Sequence, residues 1–185
     1  MEKVMHAWAA LSAVYLFALA ALASAPVLAQ DLILPAGTPV DVGFSPNGGA
    51  EAIVLNAIGS ARSSVLMSAY TFTNRRISDA LQAAERRGVK VAIVADLERN
   101  KQPNGELRYL AEHGIPVRVN GNFLDKHSKY LIIDQMSVET GSFNYSSASA
   151  LKNEENVLWL HNVPQLAKVF TEEWQSIWQG GQNIN

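Results

Sequence analysis

The chain of 185 residues contains no cysteine. No disulfide can therefore brace the fold in an oxidising compartment, and thiolate metal sites are excluded. Histidine is sparse, with four residues. None of them stands at the H-x-x-x-H spacing that sets two imidazoles on one helical face. Acidic residues form no ligand pattern around them, so no metal and no other cofactor is expected. Charge is scarce as well, at 17% of residues with a formal net of −2. Proteins that hold nucleic acid are usually basic, so any such contact here must be a local patch. Internal repeats and low-complexity linkers are also missing, which leaves a single domain. The hydrophobic content of 48% is enough for a sizeable core.

A long apolar run occurs in residues 1–29, where Glu2 and Lys3 are the only charges before the uncharged stretch to Ala25. The exit Val27-Leu28-Ala29 fits the small-x-small cleavage rule, and Pro26 disfavours a cut after Ala25. These features predict a signal peptide over 1–29 and one mature domain over 30–185. The competing reading is a retained anchor, because the run approaches the ~20 residues of a spanning helix. Loss of the leader removes one acid and one base, so the net charge stays at −2. A periplasmic or secreted protein without stable membrane association is the expectation.

Periodicity predicts strands over 40–44, 64–73, 89–95, 117–119, 129–133, 137–140 and 156–160. Helices fit 50–62, a segment from Asn74 or Ser78 to Arg87 closed by Gly88, and 106–113 closed by Gly114. In the last helix Pro164 stands near the start, and Leu166, Val169, Phe170, Trp174, Ile177 and Trp178 form one apolar stripe, read as core packing. Strands alternating with helices predict an α/β fold, a layered domain with a mixed β-sheet flanked by helices.

The densest information lies in His127-Ser128-Lys129, Asp134 and Gly141-Ser142-Phe143-Asn144. They spell H-x-K-x-x-x-x-D, then six residues, then G-S-x-N. On a strand His127 and Lys129 share a face, so an imidazole and an ammonium can meet one phosphate. Imidazole can attack phosphorus and split one hard displacement into two easier ones. Lys129 can hold a phosphate oxygen as a point charge. Asp134 has the opposite parity and is expected to order a turn. Ser142 and Asn144 can donate to phosphate oxygens, and Gly141 lets backbone approach closely.

This pattern resembles the signature of the phospholipase D superfamily, whose members break phosphodiester bonds through a covalent phosphohistidine. Gly43-Phe44-Ser45-Pro46 and Ala69-Tyr70-Thr71-Phe72-Thr73 extend the resemblance to the small bacterial endonucleases of that superfamily, over most of 40–178. In those relatives a glutamate downstream of the motif bonds the other nitrogen of the catalytic imidazole. Spacing assigns that place to Glu155, with Glu154 as the alternative. Two imidazoles are needed, one to attack and one to protonate the leaving oxygen. Only one H-x-K occurs, since His6, His113 and His161 lack the lysine. The resemblance therefore implies a homodimer with one shared active site. It further implies a metal-independent hydrolase acting on DNA or RNA, with phospholipid head groups as the alternative substrate. Arg75, Arg76, Arg99, Lys101, Arg118 and Lys126 are the basic residues expected to supply phosphate contacts.

Overall fold

The computed structural model describes residues 29–184; the expected leader, apart from Ala29, lies outside them. Eight strands form one sheet. In chain order these are β1 (Val40–Ser45), β2 (Ser64–Ala69), β3 (Lys90–Asp96), β4 (Val117–Asn120), β5 (Tyr130–Ile133), β6 (Ser137–Gly141), β7 (Glu155–Leu160) and β8 (Gln182–Asn183). The helices are α1 (Gly49–Ser60), α2 (Arg75–Arg86), α3 (Glu106–Glu112), α4 (Ser147–Leu151) and α5 (Pro164–Gln179). The sheet order is β1-β7-β6-β5-β2-β3-β4-β8. β2, β3 and β4 run parallel, and every other neighbour pair is antiparallel. The expected mixed sheet with flanking helices is therefore present.

Two apolar layers hold the sheet. On one face, Val54 and Ile58 of α1, Ile77 and Leu81 of α2, and Leu107 and Leu110 of α3 bury against Val65, Met67, Ile93, Leu131 and Val157. On the other face α5 sets Ala167, Trp174 and Ile177 against Val94, Tyr130, Ile132 and Val138. Alternation along β5 thus feeds both layers, as a central strand requires. α5 does not reach the β1–β7 edge. Val42, Phe44 and Leu158 point away from the α1 layer there and remain exposed.

Local chemistry explains the element ends. Asn74 caps α2 by accepting from the backbone N–H groups of Arg76 and Ile77, and its amide donates to Glu51 at 2.7 Å. Of the two expected caps it is the one used; Ser78 lies buried one turn on, its hydroxyl without a partner. The expected strand over 64–73 stops at Ala69. The Asn100 side chain, in a short 3₁₀ turn, accepts from Phe72 N at 3.0 Å and donates to Tyr70 O at 2.7 Å. That side chain supplies the partners a sheet neighbour would have given, and the chain peels away toward the H-x-K segment. Among the described residues no helix is long and apolar enough to cross a membrane.

Candidate active site

The parallel-to-antiparallel junction lies where β5 pairs with β2. His127 and Lys129 precede β5 at this junction, next to the carboxyl ends of β2 and β3. Such a change of strand direction opens a crevice in a sheet, since connections leave it on opposite sides. The crevice here has a volume of about 890 Å³ and is lined by both motif halves together with Val169, Phe170 and Glu173 of α5. Val169 and Phe170, read from the sequence as core, therefore form its wall. Phe170 meets Tyr130 edge-on at 4.9 Å between ring centres.

Both His127 and Lys129 lie in an extended segment just ahead of the strand rather than within it. The Lys129 Nζ is 2.8 Å from His127 Nδ1 and 3.2 Å from Nε2, and it donates to the His127 carbonyl at 2.5 Å. An ammonium can donate to a ring nitrogen only where that nitrogen carries a lone pair, which is the form that can attack phosphorus. Tyr70 flanks the pair. Its ring centre is 4.3 Å from that of His127, and Lys129 Nζ lies 5.0 Å from it. Tyr70 in turn donates to Asp125 at 2.7 Å, with Arg99 at 3.8 Å from the same carboxylate. Lys129 is buried, and that burial pushes its ammonium below the ordinary lysine value against the opposing pull of Glu155.

The second motif half arrives along β6. A Cβ on Gly141 would lie 2.1 Å from the Asn156 carbonyl oxygen, so only glycine permits this approach of β6 and β7. Asn144 borders the cleft, and its Oδ1 is buried without a hydrogen-bond partner. Ser142 departs from expectation. Its hydroxyl donates to Glu155 Oε2 at 2.6 Å and accepts from Asn156 N at 3.0 Å. A hydroxyl has one proton, so in this structure Ser142 serves Glu155 instead of a phosphate oxygen. Glu155 departs too. Its carboxylate is taken by Ser142, by Ser149 at 3.2 Å and by Asn153 at 3.0 Å. Among the described residues the expected bond to the His127 imidazole is not made.

Asp134 sits at the opposite end of β5, the length of that strand away from His127. It accepts from the backbone N–H of Arg62, Ser63 and Ser64 and from the Ser63 hydroxyl, at 2.7–3.2 Å. The carboxylate thus fixes the α1–β2 loop rather than its own turn, to which it makes no hydrogen bond. Burial pushes this carboxyl upward, but the four donors outweigh it and hold the group below the usual carboxylate range.

The expected basic residues divide. Arg99 stands at the rim over Tyr70, 5.1 Å from its ring centre. Arg75 and Arg76 pair with Asp79 and Glu51, Lys101 with Glu98, and Arg118 lies on Trp178. Lys126 is buried beneath the site, where no solvent-facing phosphate contact is possible. Sequence reasoning assigned no role to Tyr70, Ser68 or Glu173. Tyr70 had a signal in the Ala69-Tyr70-Thr71-Phe72-Thr73 stretch; the others became visible through packing.

A family model described as "Cardiolipin synthase, PLD-like domain" matches residues 54–178. Among solved structures, Nuc, a phospholipase D family member from Salmonella typhimurium, is 44% identical with a TM-score of 0.76, covering 78% of this chain and 97% of that one. NucT from Helicobacter pylori shares the fold at 24% identity and a TM-score of 0.70, covering 78% and 98%. A protein named phospholipase D from Rickettsia conorii is 35% identical over 131 residues, which are 71% of this chain and 65% of that protein. Mouse mitochondrial cardiolipin hydrolase is 29% identical over 145 residues, 78% of this chain and 64% of that protein. The chain thus spans slightly less than two thirds of the length of these two relatives. With the match to the family model covering most of the chain and the H-x-K and G-S-x-N residues brought to one cleft, the chain belongs to the PLD-like domain family of the phospholipase D superfamily.

Proposed function

We propose that this protein is a phosphodiester hydrolase that works through a phosphohistidine on His127, and that nucleic acid is its substrate. The observation that carries the chemistry is the contact of Lys129 Nζ with the His127 ring at the floor of an open cleft. The imidazole nitrogen bonds phosphorus as the P–O bond to the leaving group breaks. A second imidazole gives that oxygen its proton. Water then attacks phosphorus, loses a proton to the second imidazole, and the N–P bond breaks. Lys129 and Asn144 hold the phosphoryl oxygens, and Glu155 balances the charge of Lys129. No step calls for a metal.

The second imidazole comes from a second copy of the chain, so the active unit is a homodimer with one shared site. Exposed Val42, Phe44 and Leu158 support this reading, because they continue the cleft-bearing face of the sheet along β7 and β1. The nuclease reading rests on the resemblance to small bacterial endonucleases and on Arg99 at the rim. The leader reading adds a periplasmic or secreted location for residues 30–185.

One observation favours a second reading, a lipid phosphodiester. Phe123 and Leu124, just ahead of His127, are 52% and 97% exposed, which suits contact with an acyl surface. The deciding experiment incubates purified protein, in excess EDTA, with supercoiled plasmid and separately with phosphatidylcholine or cardiolipin vesicles, beside a His127→Ala control. Nicking by the wild type alone supports the nuclease. Head-group release without nicking transfers the assignment to lipid, and inertness toward both refutes the hydrolase.

A further inference from the structure

Lys126 is only 3% exposed, yet no carboxylate touches its ammonium. Its ammonium donates to the Ser68 hydroxyl, to the Ser128 hydroxyl and carbonyl at 3.2 Å each, and to the Ala69 carbonyl at 3.5 Å. Ser68 and Ala69 end β2, whereas Ser128 stands between His127 and Lys129. The chain on the near side is also tied down, since Lys126 N donates to Asp96 Oδ2 at 2.9 Å. A buried charge costs free energy unless its donors are filled, so a lysine kept here has all of them aimed at acceptors.

We propose that Lys126 is a positioning residue: its buried ammonium pins Ser128 to the end of β2 and so sets His127 and Lys129 at the spacing that in-line attack on a phosphodiester requires. The proposal rests on the phosphodiesterase reading above. The segment carrying His127 and Lys129 lies outside β5 and has no sheet ladder of its own. The Lys126 bonds replace that ladder. The ammonium also lies close enough to Lys129 for the two charges to act on each other. Several groups converge on it: Asp96 from the end of β3, Glu173 from α5, Lys129 from its own segment, and the buried Tyr130 hydroxyl beside Ser68. Desolvation outweighs the two carboxylates and brings the Lys126 pKa to about 7.

Lys126→Met keeps the length of the side chain and removes the charge. The fold tolerates it, because the Ser68 and Ser128 hydroxyls lie 3.2 Å apart and can bond each other. With bis(p-nitrophenyl) phosphate as substrate at pH 6, kcat falls about 10–100-fold while KM changes little, as expected for misplaced reacting groups. Wild-type kcat also declines as pH rises through about 7 and the ammonium is lost; the variant lacks that limb. Lys126→Arg restores part of the rate at pH 8. The second readout is thermal unfolding. Unfolded lysine holds its proton to about pH 10.4, so between pH 7 and pH 10 the unfolded wild type binds more protons and its stability rises with pH. The Tm of Lys126→Met minus that of wild type therefore shrinks steadily across this window. Wild-type kcat and pH profile in the Met variant would overturn the positioning role, and a pH-independent Tm difference would overturn the buried ammonium. A wild type inert toward this substrate, plasmid and vesicles alike would instead overturn the hydrolase reading itself.

Discussion

At the closed end of the β5–β6 hairpin, the Asp134 carboxylate accepts from three backbone N–H groups and one hydroxyl. At the open end, Asn144 Oδ1 is buried with no partner, and His127 reaches solvent with an ammonium at its ring. Both ends belong to one motif and to the same pair of short strands, yet their polar groups are in opposite states. Saturation at the closed end leaves Asp134 no capacity for a ligand, and all its binding capacity goes into joining α1, β2 and β5. The open end leaves the Asn144 amide and the solvent-facing His127 uncommitted to the fold, and the amide N–H groups are the kind of donor a phosphate oxygen needs. A motif residue is therefore structural or chemical according to whether the fold has already used its hydrogen bonds.

Substitutions can break this contrast at four points. The largest effect is expected from His127→Ala, which removes the proposed nucleophile and should lower kcat by about 10⁴-fold or more. Its Tm stays within a few degrees of wild type, because His127 is exposed; a large drop in Tm would show that the open end also carries the fold. Gly141→Ala attacks the open end structurally. The added methyl would collide with the Asn156 carbonyl, and urea unfolding should record a loss of at least about 3 kcal/mol. Wild-type stability in that variant would mean that β6 and β7 can separate freely beside the site.

Asp134→Asn tests the closed end. At pH 7 it should cost about 2 kcal/mol, since an amide nitrogen then faces backbone donors. The wild-type carboxyl is held low in the fold, so its contribution is complete above the unfolded value of about 3.9 and is lost as pH falls through the folded one. The gap between wild type and variant should accordingly narrow as pH falls below about 4, and a gap unchanged at pH 2 would contradict the account. Activity per folded molecule should not change. The smallest effect is a gain. Asp134 and Gln135 both have positive φ, 55° and 58°, and Met136 N donates to Ile133 O at 2.9 Å, as in a type I′ hairpin turn. Gln135→Gly should stabilise by about 0.5 kcal/mol in the same unfolding assay. Destabilisation would show that the glutamine side chain holds the turn.

Much of this contrast was legible in the residues. The strand-length spacing set Asp134 apart from His127, and the G-S-x-N spacing delivered Asn144 and Gly141 to the cleft. Strand and helix order followed from periodicity because each element buries one face against a continuous layer. What was not legible depends on partners far away in sequence. Asn100 ends β2 from about thirty positions downstream. Ser142 turned to Glu155 because β6 and β7 meet at Gly141, a contact visible only after folding. Lys126 read as a surface cation, since nothing in its neighbours announces that Ser68 and Ser128 will enclose it. Short elements such as α4 and β8 carry too few residues for a periodic signal.

The loop over 121–125 ends in two clamps, Asp125 under the Tyr70 hydroxyl and Lys126 N on Asp96. Because these ties lie between the exposed tip at Phe123–Leu124 and His127, changes in the tip's length or character are insulated from the reacting groups. Residues 123 and 124, which are exposed, can therefore be exchanged while His127 and Lys129 keep their places.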